Sequence, residues 1–410
     1  MNNAYPKLRY LEALPHSEGE KPIILLRDPT QIGEQTLVVS PQLYQLITLF
    51  DGTNSVLDIQ TFLTKQSGQI VSREQVVGLI NQLDDVYFLD NENFRQKREE
   101  VVREFKWQTV RPAHLAGVSY PADEIELREL LGSFYQEVDG AGLPDARLYR
   151  RIRALVAPHI DLRLGGATYT HAYRRLAESD PPDLFVILGT GHMGVPNCFS
   201  VCVKDFETPL GIAEADIEFA ESFKRAAGSD AFGEELSHRN EHTIEFQLLF
   251  LQHALTSNPF RIFPVLASFS YADLILPSRK KGACAEQVHN FVQALQSAEA
   301  STGRRVCFIA SVDLAHIGPR YGDSFTPDPG TVEDVKAKDL EMLAAIAAGD
   351  SEGFSNFVAS EQDRRRICGF PCLYTLLQYL QGQEGELLAH SHGQIDATGS
   401  FVTYASLVFH

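Results

Sequence analysis

The chain has 410 residues, with 36 Lys+Arg against 54 Asp+Glu and a formal net charge of −18 at neutral pH. This acidic balance argues against a nucleic-acid partner, because phosphate binding needs a dense Lys/Arg surface. Apolar runs such as those at 184–188 and 306–310 are far shorter than the ~20 residues of a membrane-spanning helix. The first residues lack the apolar core of a signal peptide and cysteines are few, so we expect a reducing, cytoplasmic setting.

Residues 1–95 are expected to form a small domain of their own. Strand-like runs at 23–26 and 36–39 precede a helix that opens at Pro41, a second helix through 56–62 and a third that Ser72 caps. Residues 87–89 are predicted to close the domain as a strand. Short strands around helices predict a winged-helix-like module. Its helix spacing and the turn at 50–52 resemble the peptide-binding domains of the PqqD type, and a docking or dimerisation appendage is the alternative.

The chain changes character after residue 95. Residues 96–110 are densely charged and predict a solvated linker helix. From 111 to 410, strand-like runs alternate with amphipathic helical patterns, which predicts a three-layer α/β/α domain with a mostly parallel sheet. The clearest predicted strands are 154–157, 184–188, 262–266, 306–310 and 401–407. The predicted helices are 124–136, 167–176, 215–226, 241–254, 285–298, 332–348 and 373–380, and 318–330 is a long loop.

Histidines follow several of these strands directly. His159 comes after the strand at 154–157, His192 after the strand at 184–188, and Asp313 and His316 after the strand at 306–310. Ligands of open α/β sheets bind at the carboxyl ends of the strands, so we expect these side chains to meet in one site. Glycines 189 and 191 let the backbone approach closely there, but Gly-Thr-Gly alone does not predict a nucleotide site.

Two other segments offer reactive side chains. Cys368 precedes a helix that opens with Pro371 and follows three arginines at 364–366, so the helix dipole and the arginines favour its thiolate form. His238, His242 and Glu245 are spaced to share one face of the helix at 241–254. Their order does not match a zinc-protease motif. His242 is a candidate catalytic residue or substrate contact, and a capped amphipathic helix with polar residues at its start is the alternative.

These segments together resemble the Memo-like family, whose prokaryotic members are known as AmmeMemoRadiSam system protein B. The resemblance extends from about residue 111 to 409 and leaves out the N-terminal 95 residues. Its motifs stand in the family's order: Ala-Gly-Val-Ser-Tyr-Pro at 116–121, Ala-Pro-His at 157–159, Gly-Thr-Gly-His at 189–192, Glu-His-Thr-Ile-Glu at 241–245, Ser-Val-Asp-Leu-Ala-His at 311–316, and Cys-Gly at 368–369 with Phe-Val-Thr-Tyr-Ala at 401–405.

The resemblance implies a fold like that of the class III extradiol dioxygenases, with a metal site in its central cleft. By position, His159, His192 and Cys368 correspond to the family's metal ligands, and Asp313 and His316 to its catalytic-type pair. The residues at 160–161, Ile-Asp, depart from the family's usual Ala-Gly and add a carboxylate near the site.

The ligand set suggests a metal and a type of reaction. Two imidazoles and one thiolate suit Fe(II) first and Cu or Zn next, better than Mg or Ca, and three protein ligands leave positions open. His316 is expected to act as a base, with Asp313 orienting it or binding water. A thiolate in place of the carboxylate of ring-cleaving enzymes argues against predicting ring cleavage.

Three functions stay open on the sequence alone. The first is a metal-dependent redox enzyme of the dioxygenase-like fold, acting on a small-molecule or peptide substrate. The second is a non-catalytic metal-binding or scaffold subunit, because the family's prokaryotic members are associated with a radical-SAM protein. The third is a zinc hydrolase, which the absence of a Glu base in a known pattern disfavours.

Overall fold

The computed structural model describes residues 4–18, 21–145, 151–195, 197–228, 230–256, 258–275 and 284–410. The chain divides into two compact units, Met1–Gln108 and Thr109–His410. Each unit has its own hydrophobic core. The charged segment expected as a linker lies within a helix of the first unit, and the division between the units follows the end of that helix.

The first unit combines an antiparallel sheet, in the order β1–β2–β3, with helices packed around it. Residues 87–89 do not form the expected strand, and within them only Leu89 pairs, in an isolated β-bridge with Leu8. The backbone of Tyr87 is left-handed, with φ 62°, which interrupts an extended run at this point. In chain order the elements are β1 (Glu12–Glu18), β2 (Lys21–Arg27), β3 (Thr36–Val39), α1 (Pro41–Ile47), α2 (Val56–Ser67), α3 (Arg73–Asp85) and α4 (Glu92–Trp107).

Serine caps explain where the helices of the first unit begin. Ser40, Ser55 and Ser72 each accept a hydrogen bond from a backbone amide in the first turn, of α1, α2 and α3 respectively. Gly68 ends α2 in the left-handed conformation, with φ 67°. These local signals are why the helical pattern of this unit is readable from the sequence, whereas β1 carries no such signal and was not predicted.

The second unit is built on a mixed sheet with a parallel centre. Its strand order is β12-β14-β5-β11-β6-β10-β9-β8-β4, with β13 beside β14 and β7 beside β10. Neighbours from β5 to β9 in this order are parallel, and β14 runs antiparallel to β5. The strands are β4 (Val110–Arg111), β5 (Ala154–Ala157), β6 (Leu184–Thr190), β7 (Phe199–Val201), β8 (Asp205–Thr208), β9 (Gly211–Ala215), β10 (Arg261–Ala267), β11 (Val306–Ser311), β12 (His316–Ile317), β13 (Gly385–Gln394) and β14 (Phe401–Phe409).

Helices cover both faces of this sheet. Helices α5, α6 and α8 share a core with one set of alternate strand residues, and α7 and α10 to α13 share a core with the other set. The expected three-layer α/β/α arrangement is therefore confirmed. The helices are α5 (Glu124–Phe134), α6 (Leu162–Ala177), α7 (Ile217–Ala227), α8 (His242–Ala254), α9 (Tyr271–Ile275), α10 (Cys284–Thr302), α11 (Pro329–Ala347), α12 (Ser351–Ser360) and α13 (Phe370–Leu380).

The cysteines differ in part from expectation. Cys202 and Cys307 are buried in the core, as small hydrophobic side chains would be. Cys198 and Cys284 form a disulfide that was not predicted. Because disulfides persist in oxidising environments, the low number of cysteines does not by itself support a reducing setting. Among the described residues, no helix is long and apolar enough to cross a membrane.

Candidate metal centre

The predicted site residues meet at the carboxyl edge of the parallel strands. His159 follows β5, His192 follows β6, and Asp313 follows β11. Because β11 lies between β5 and β6 in the sheet, these ends are neighbours. His242 is the first residue of α8, and Cys368 lies just ahead of α13.

Three imidazoles form the centre of this site. In the described part of the chain, the group of His, Cys, Asp and Glu side chains close enough to hold an ion is His159, His192 and His242, whose ligand atoms all lie within 4.8 Å of one another. The ring centre of His159 is 5.0 Å from that of His192 and 5.5 Å from that of His242. The cluster therefore combines two predicted metal ligands, His159 and His192, with His242, which was expected as a catalytic residue or substrate contact.

His159 is held in one orientation by the end of β11. Its Nδ1 lies 2.9 Å from the carbonyl oxygen of Ser311, to which it donates, and Nε2 is left as the ligand atom. The Cys368 Sγ is 3.4 Å from this Nε2, so the predicted cysteine ligand lies beside the histidine cluster. Burial, together with the neighbouring imidazoles of His192 and His242, keeps the pKa of His159 well below its usual value.

Glu241 supports the other two histidines and was missed in the sequence analysis. Its carboxylate lies 3.2 Å from Nδ1 of His192 and 3.0 Å from Nδ1 of His242. Burial disfavours the charged carboxylate, but the two imidazoles outweigh it and hold the pKa of Glu241 well below the usual range. A glutamate directly before a histidine at a helix start was the available signal, because acidic residues cap helices there.

Polar side chains beneath the cluster join the strand ends to α8. The Gln247 side-chain amide donates to the carbonyl oxygen of Pro158 at 2.6 Å and to the Ser311 hydroxyl at 2.8 Å. The Ser311 hydroxyl donates to the carbonyl oxygen of Thr243 at 2.6 Å. All three side-chain positions are fully buried, so these bonds hold α8 at a fixed distance from β5 and β11.

Asp313 contacts the His159 segment directly. Its carboxylate accepts hydrogen bonds from the backbone amides of His159 at 3.0 Å and Ile160 at 3.2 Å. Burial nevertheless raises its pKa to about 7. A carboxyl with such a pKa can hold or release a proton near neutral pH, whereas the sequence analysis expected Asp313 to orient His316 or to bind water.

His316 lies in the same cleft outside the histidine cluster. Its Nδ1 donates to the carbonyl oxygens of Leu314 and Arg366, each at 3.1 Å. Burial lowers its pKa to about 4, so the ring is neutral at physiological pH and Nε2 can accept a proton. The ring of Tyr321 meets it edge-on at 4.9 Å, a contact that the sequence did not indicate.

The expectation that Cys368 is a thiolate is wrong for the metal-free chain. Burial and the Asp313 carboxyl raise the pKa of the thiol well above its ordinary value. The buried arginine, Arg365, is paired with Asp339 and Glu361, so its charge is already compensated.

The predicted helical face of His238, His242 and Glu245 does not form. His238 lies in a separate 3₁₀ turn, Glu235–His238, before α8 begins, and its Nε2 contacts the carbonyl oxygen of Ser200 at 3.0 Å. Glu245 is fully buried and pairs with Arg111. Helix α8 begins at His242, close to the predicted start at 241, so His238 lies outside it and only His242 reaches the cleft.

Two further expectations about the site change. Asp161, the carboxylate that departs from the family pattern, caps α6 by accepting from the Arg163 amide and also pairs with the Arg163 guanidinium, so it is engaged at the helix start.

The two glycines at the end of β6 differ in their surroundings. A Cβ at Gly189 would lie 2.5 Å from the hydroxyl of Thr243, whereas one at Gly191 would meet ordinary contacts. The glycine at 189 thus serves the close packing of β6 on α8.

These features define an α/β protein with a cluster of metal-ligating side chains at the carboxyl edge of its parallel sheet. The family model described as Memo-like protein matches residues 111–408. A MEMO1 family protein of Aquifex aeolicus is 30% identical over 409 residues, covering 99% of this chain and 100% of the relative. The chain therefore belongs to the Memo-like family.

Other relatives match a shorter part of the chain. A MEMO1 family protein of Methanopyrus kandleri is 31% identical over 305 residues, covering 72% of this chain and 97% of the relative. One of Thermus thermophilus is 27% identical over 334 residues, covering 81% of this chain and 92% of the relative. The Aquifex alignment includes the first unit, whereas the Methanopyrus protein is about as long as the second unit alone.

Proposed function

We propose that this Memo-like protein is a metal-dependent redox enzyme whose ion, Fe(II) or in its place Cu, is held by His159, His192 and Cys368. The observation that supports the proposal is the convergence of imidazole nitrogens within 4.8 Å of one another, with the Cys368 sulfur 3.4 Å from Nε2 of His159. Zn is the third candidate metal.

The donor set fits such an ion. Imidazole nitrogens and a thiol sulfur make a borderline-soft set, which suits Fe, Cu or Zn better than Mg or Ca. His159 and His192 each have Nδ1 engaged by a protein oxygen, which fixes Nε2 as the ligand atom of each ring. When bound, an iron or copper ion supplies one-electron redox chemistry to a substrate in the cleft.

The chain's own residues supply the proton transfers around that chemistry. His316 is neutral because its pKa is lowered to about 4, so its Nε2 is a proton acceptor at neutral pH. Asp313, with a pKa raised to about 7, exchanges a proton in the physiological range. In this proposal His316 acts as the base, and Asp313 orients or protonates the substrate, which is a small molecule or a peptide.

The first test is elemental analysis of the full chain purified without oxygen. We expect near-stoichiometric iron or copper in the wild type and its loss in His159→Ala and Cys368→Ser, while His316→Ala keeps the metal. Full metal content in Cys368→Ser would contradict the proposed ligand set, and a wild type that takes up no metal even after anaerobic loading would contradict the proposal as a whole.

A second candidate function is a scaffold subunit that binds metal without turnover and works with a radical-SAM protein. The observation that favours it is the first unit, a compact body with its own core that the Aquifex relative also spans. Capture of the radical-SAM protein that depends on residues 1–108, with no oxygen consumption by the isolated chain, would support this function over the first.

A further inference from the structure

The rings of His192 and His242 lie side by side in a stacked pair. Their planes lie 11° apart with ring centres at 5.0 Å. Both Nδ1 atoms contact the same Glu241 carboxylate, so both rings turn their Nε2 atoms away from it. His242 is thus presented in the same manner as His192, which the proposed function already assigns to the metal.

A second observation is the anchoring of Glu241 itself. Its side chain is 6% exposed and accepts hydrogen bonds from the backbone amides of His192 at 3.0 Å, His242 at 2.9 Å and Thr243 at 3.2 Å. The carboxylate caps α8 and binds the loop that follows β6 at the same time. Rotation of the carboxylate would break its hydrogen bonds to both α8 and the loop after β6, so these bonds fix its orientation.

We infer that Glu241 is a positioning residue that clamps His192 and His242 side by side, and that His242 is a further ligand of the metal. This inference rests on the proposed function and changes the role of His242, which the sequence analysis grouped with the catalytic residues Asp313 and His316. Carboxylates that hold the distal nitrogen of ligating histidines fix the tautomer and raise the basicity of the ligand atom.

His316 shows what a cleft histidine outside this clamp looks like. Its Nδ1 contacts the backbone carbonyls of Leu314 and Arg366 instead of the Glu241 carboxylate. The alternative role for the His192–Glu241–His242 contacts is purely structural, holding the loop after β6 on α8. The experiment has to separate these two roles.

Co(II) titration of the metal-free full chain, followed by absorption, makes this distinction. We expect His242→Ala and Glu241→Gln each to weaken Co(II) binding by about 10- to 100-fold. The thiolate-to-cobalt band from Cys368 should persist in His242→Ala, with altered ligand-field bands. The control is His253→Ala, which removes a histidine from the last turn of the same helix and should leave both affinity and spectrum unchanged.

Nitrogen NMR of the metal-free chain tests the clamp independently of metal. In the wild type, His192 and His242 should both be protonated at Nδ1, and Glu241→Gln should shift the tautomer of at least one ring. Wild-type affinity and spectrum in His242→Ala would overturn the inference while leaving the proposed function intact. A wild type that binds no Co(II) would overturn both, and unchanged tautomers in Glu241→Gln would overturn the role of Glu241.

Discussion

Burial shifts the pKa values of several ionisable side chains of the cleft in the direction that favours their neutral forms. It raises the pKa of Asp313 to about 7, lowers the pKa of His316 to about 4 and raises the pKa of the Cys368 thiol. Glu241 differs, because the imidazoles of His192 and His242 hold its pKa low in spite of burial. The cleft therefore places an ionised carboxylate directly behind these two imidazoles, an arrangement that favours a bound cation.

The neutral state of His316 makes the stability of the metal-free chain depend on pH. Its folded pKa of about 4 lies below the ordinary value of 6.5, so the unfolded chain binds more protons between these two pH values. The free energy of unfolding is therefore expected to fall as the pH drops from 6.5 to 4. His316→Asn should remove a part of this fall on the order of 2 kcal/mol.

Urea unfolding of the metal-free wild type and of His316→Asn, measured across this pH range, checks the prediction. Other buried histidines, such as His238, also lower the free energy of unfolding as the pH drops, and they do so in both proteins. The difference between the wild type and His316→Asn therefore isolates the contribution of His316. An NMR titration of His316 gives its pKa directly. Two stability curves that run parallel through the whole range would show that His316 is not the group responsible.

At the scale of elements, a buried ion pair ties the first strand of the second unit to the site. Arg111 in β4 and Glu245 in α8 are both fully buried. The Arg111 guanidinium also donates to the carbonyl oxygen of His238 at 2.8 Å and to that of Glu241 at 2.9 Å. Strand β4 thereby holds the start of α8, from which Glu241 and His242 enter the cleft.

Arg111→Ala is expected to lower the free energy of unfolding by about 3–5 kcal/mol, because it leaves the Glu245 charge buried without its partner. Arg261→Ala is the matched control: its pair with Glu214 is about half exposed on both sides, and its loss should cost no more than ~1 kcal/mol. Chemical denaturation of the three proteins measures both. Equal losses in the two variants would contradict the role assigned to the buried pair.

The elements that the sequence predicted are those whose local pattern determines them. β5, β6 and β11 are apolar on both faces because helices cover both sides of the sheet, and His159, His192 and Asp313 follow from the ends of those strands. Short strands near one end of the sheet, such as β8 and β9, alternate exposed and buried positions over runs that are too short for periodicity to show.

The residues of the site were likewise predictable only where the local sequence determines their position. Residues that directly follow buried strands were found, but the Glu241 clamp joins segments far apart in the chain. The Tyr321 contact with His316 depends on the turn between these two residues. These contacts depend on where α8 lies in the fold and on how the loop after β12 runs, which local propensity does not specify. The grouping of His238 with the face of α8 is wrong because His238 precedes the helix and lies in a 3₁₀ turn of its own.

At the scale of the whole molecule, the residues assigned to the metal all belong to the second unit, Thr109–His410. The first unit has a separate core. The relative from Methanopyrus kandleri aligns over 97% of its own length with 72% of this chain. The aligned part is about as long as the second unit, so this Memo-like protein has no counterpart of the first unit. This indicates that the second unit does not need the first in order to occur as a protein.

We therefore expect the fragment 109–410 to fold by itself and to bind Co(II) with the affinity of the full chain, within about twofold. The division between the units precedes β4, so the buried pair of Arg111 with Glu245 is retained in the fragment. Circular dichroism and a Co(II) titration of both proteins provide the measurement. A folded fragment that has lost metal binding would mean that the first unit takes part in the metal site, and the scaffold function would then have to be reconsidered together with the chemistry.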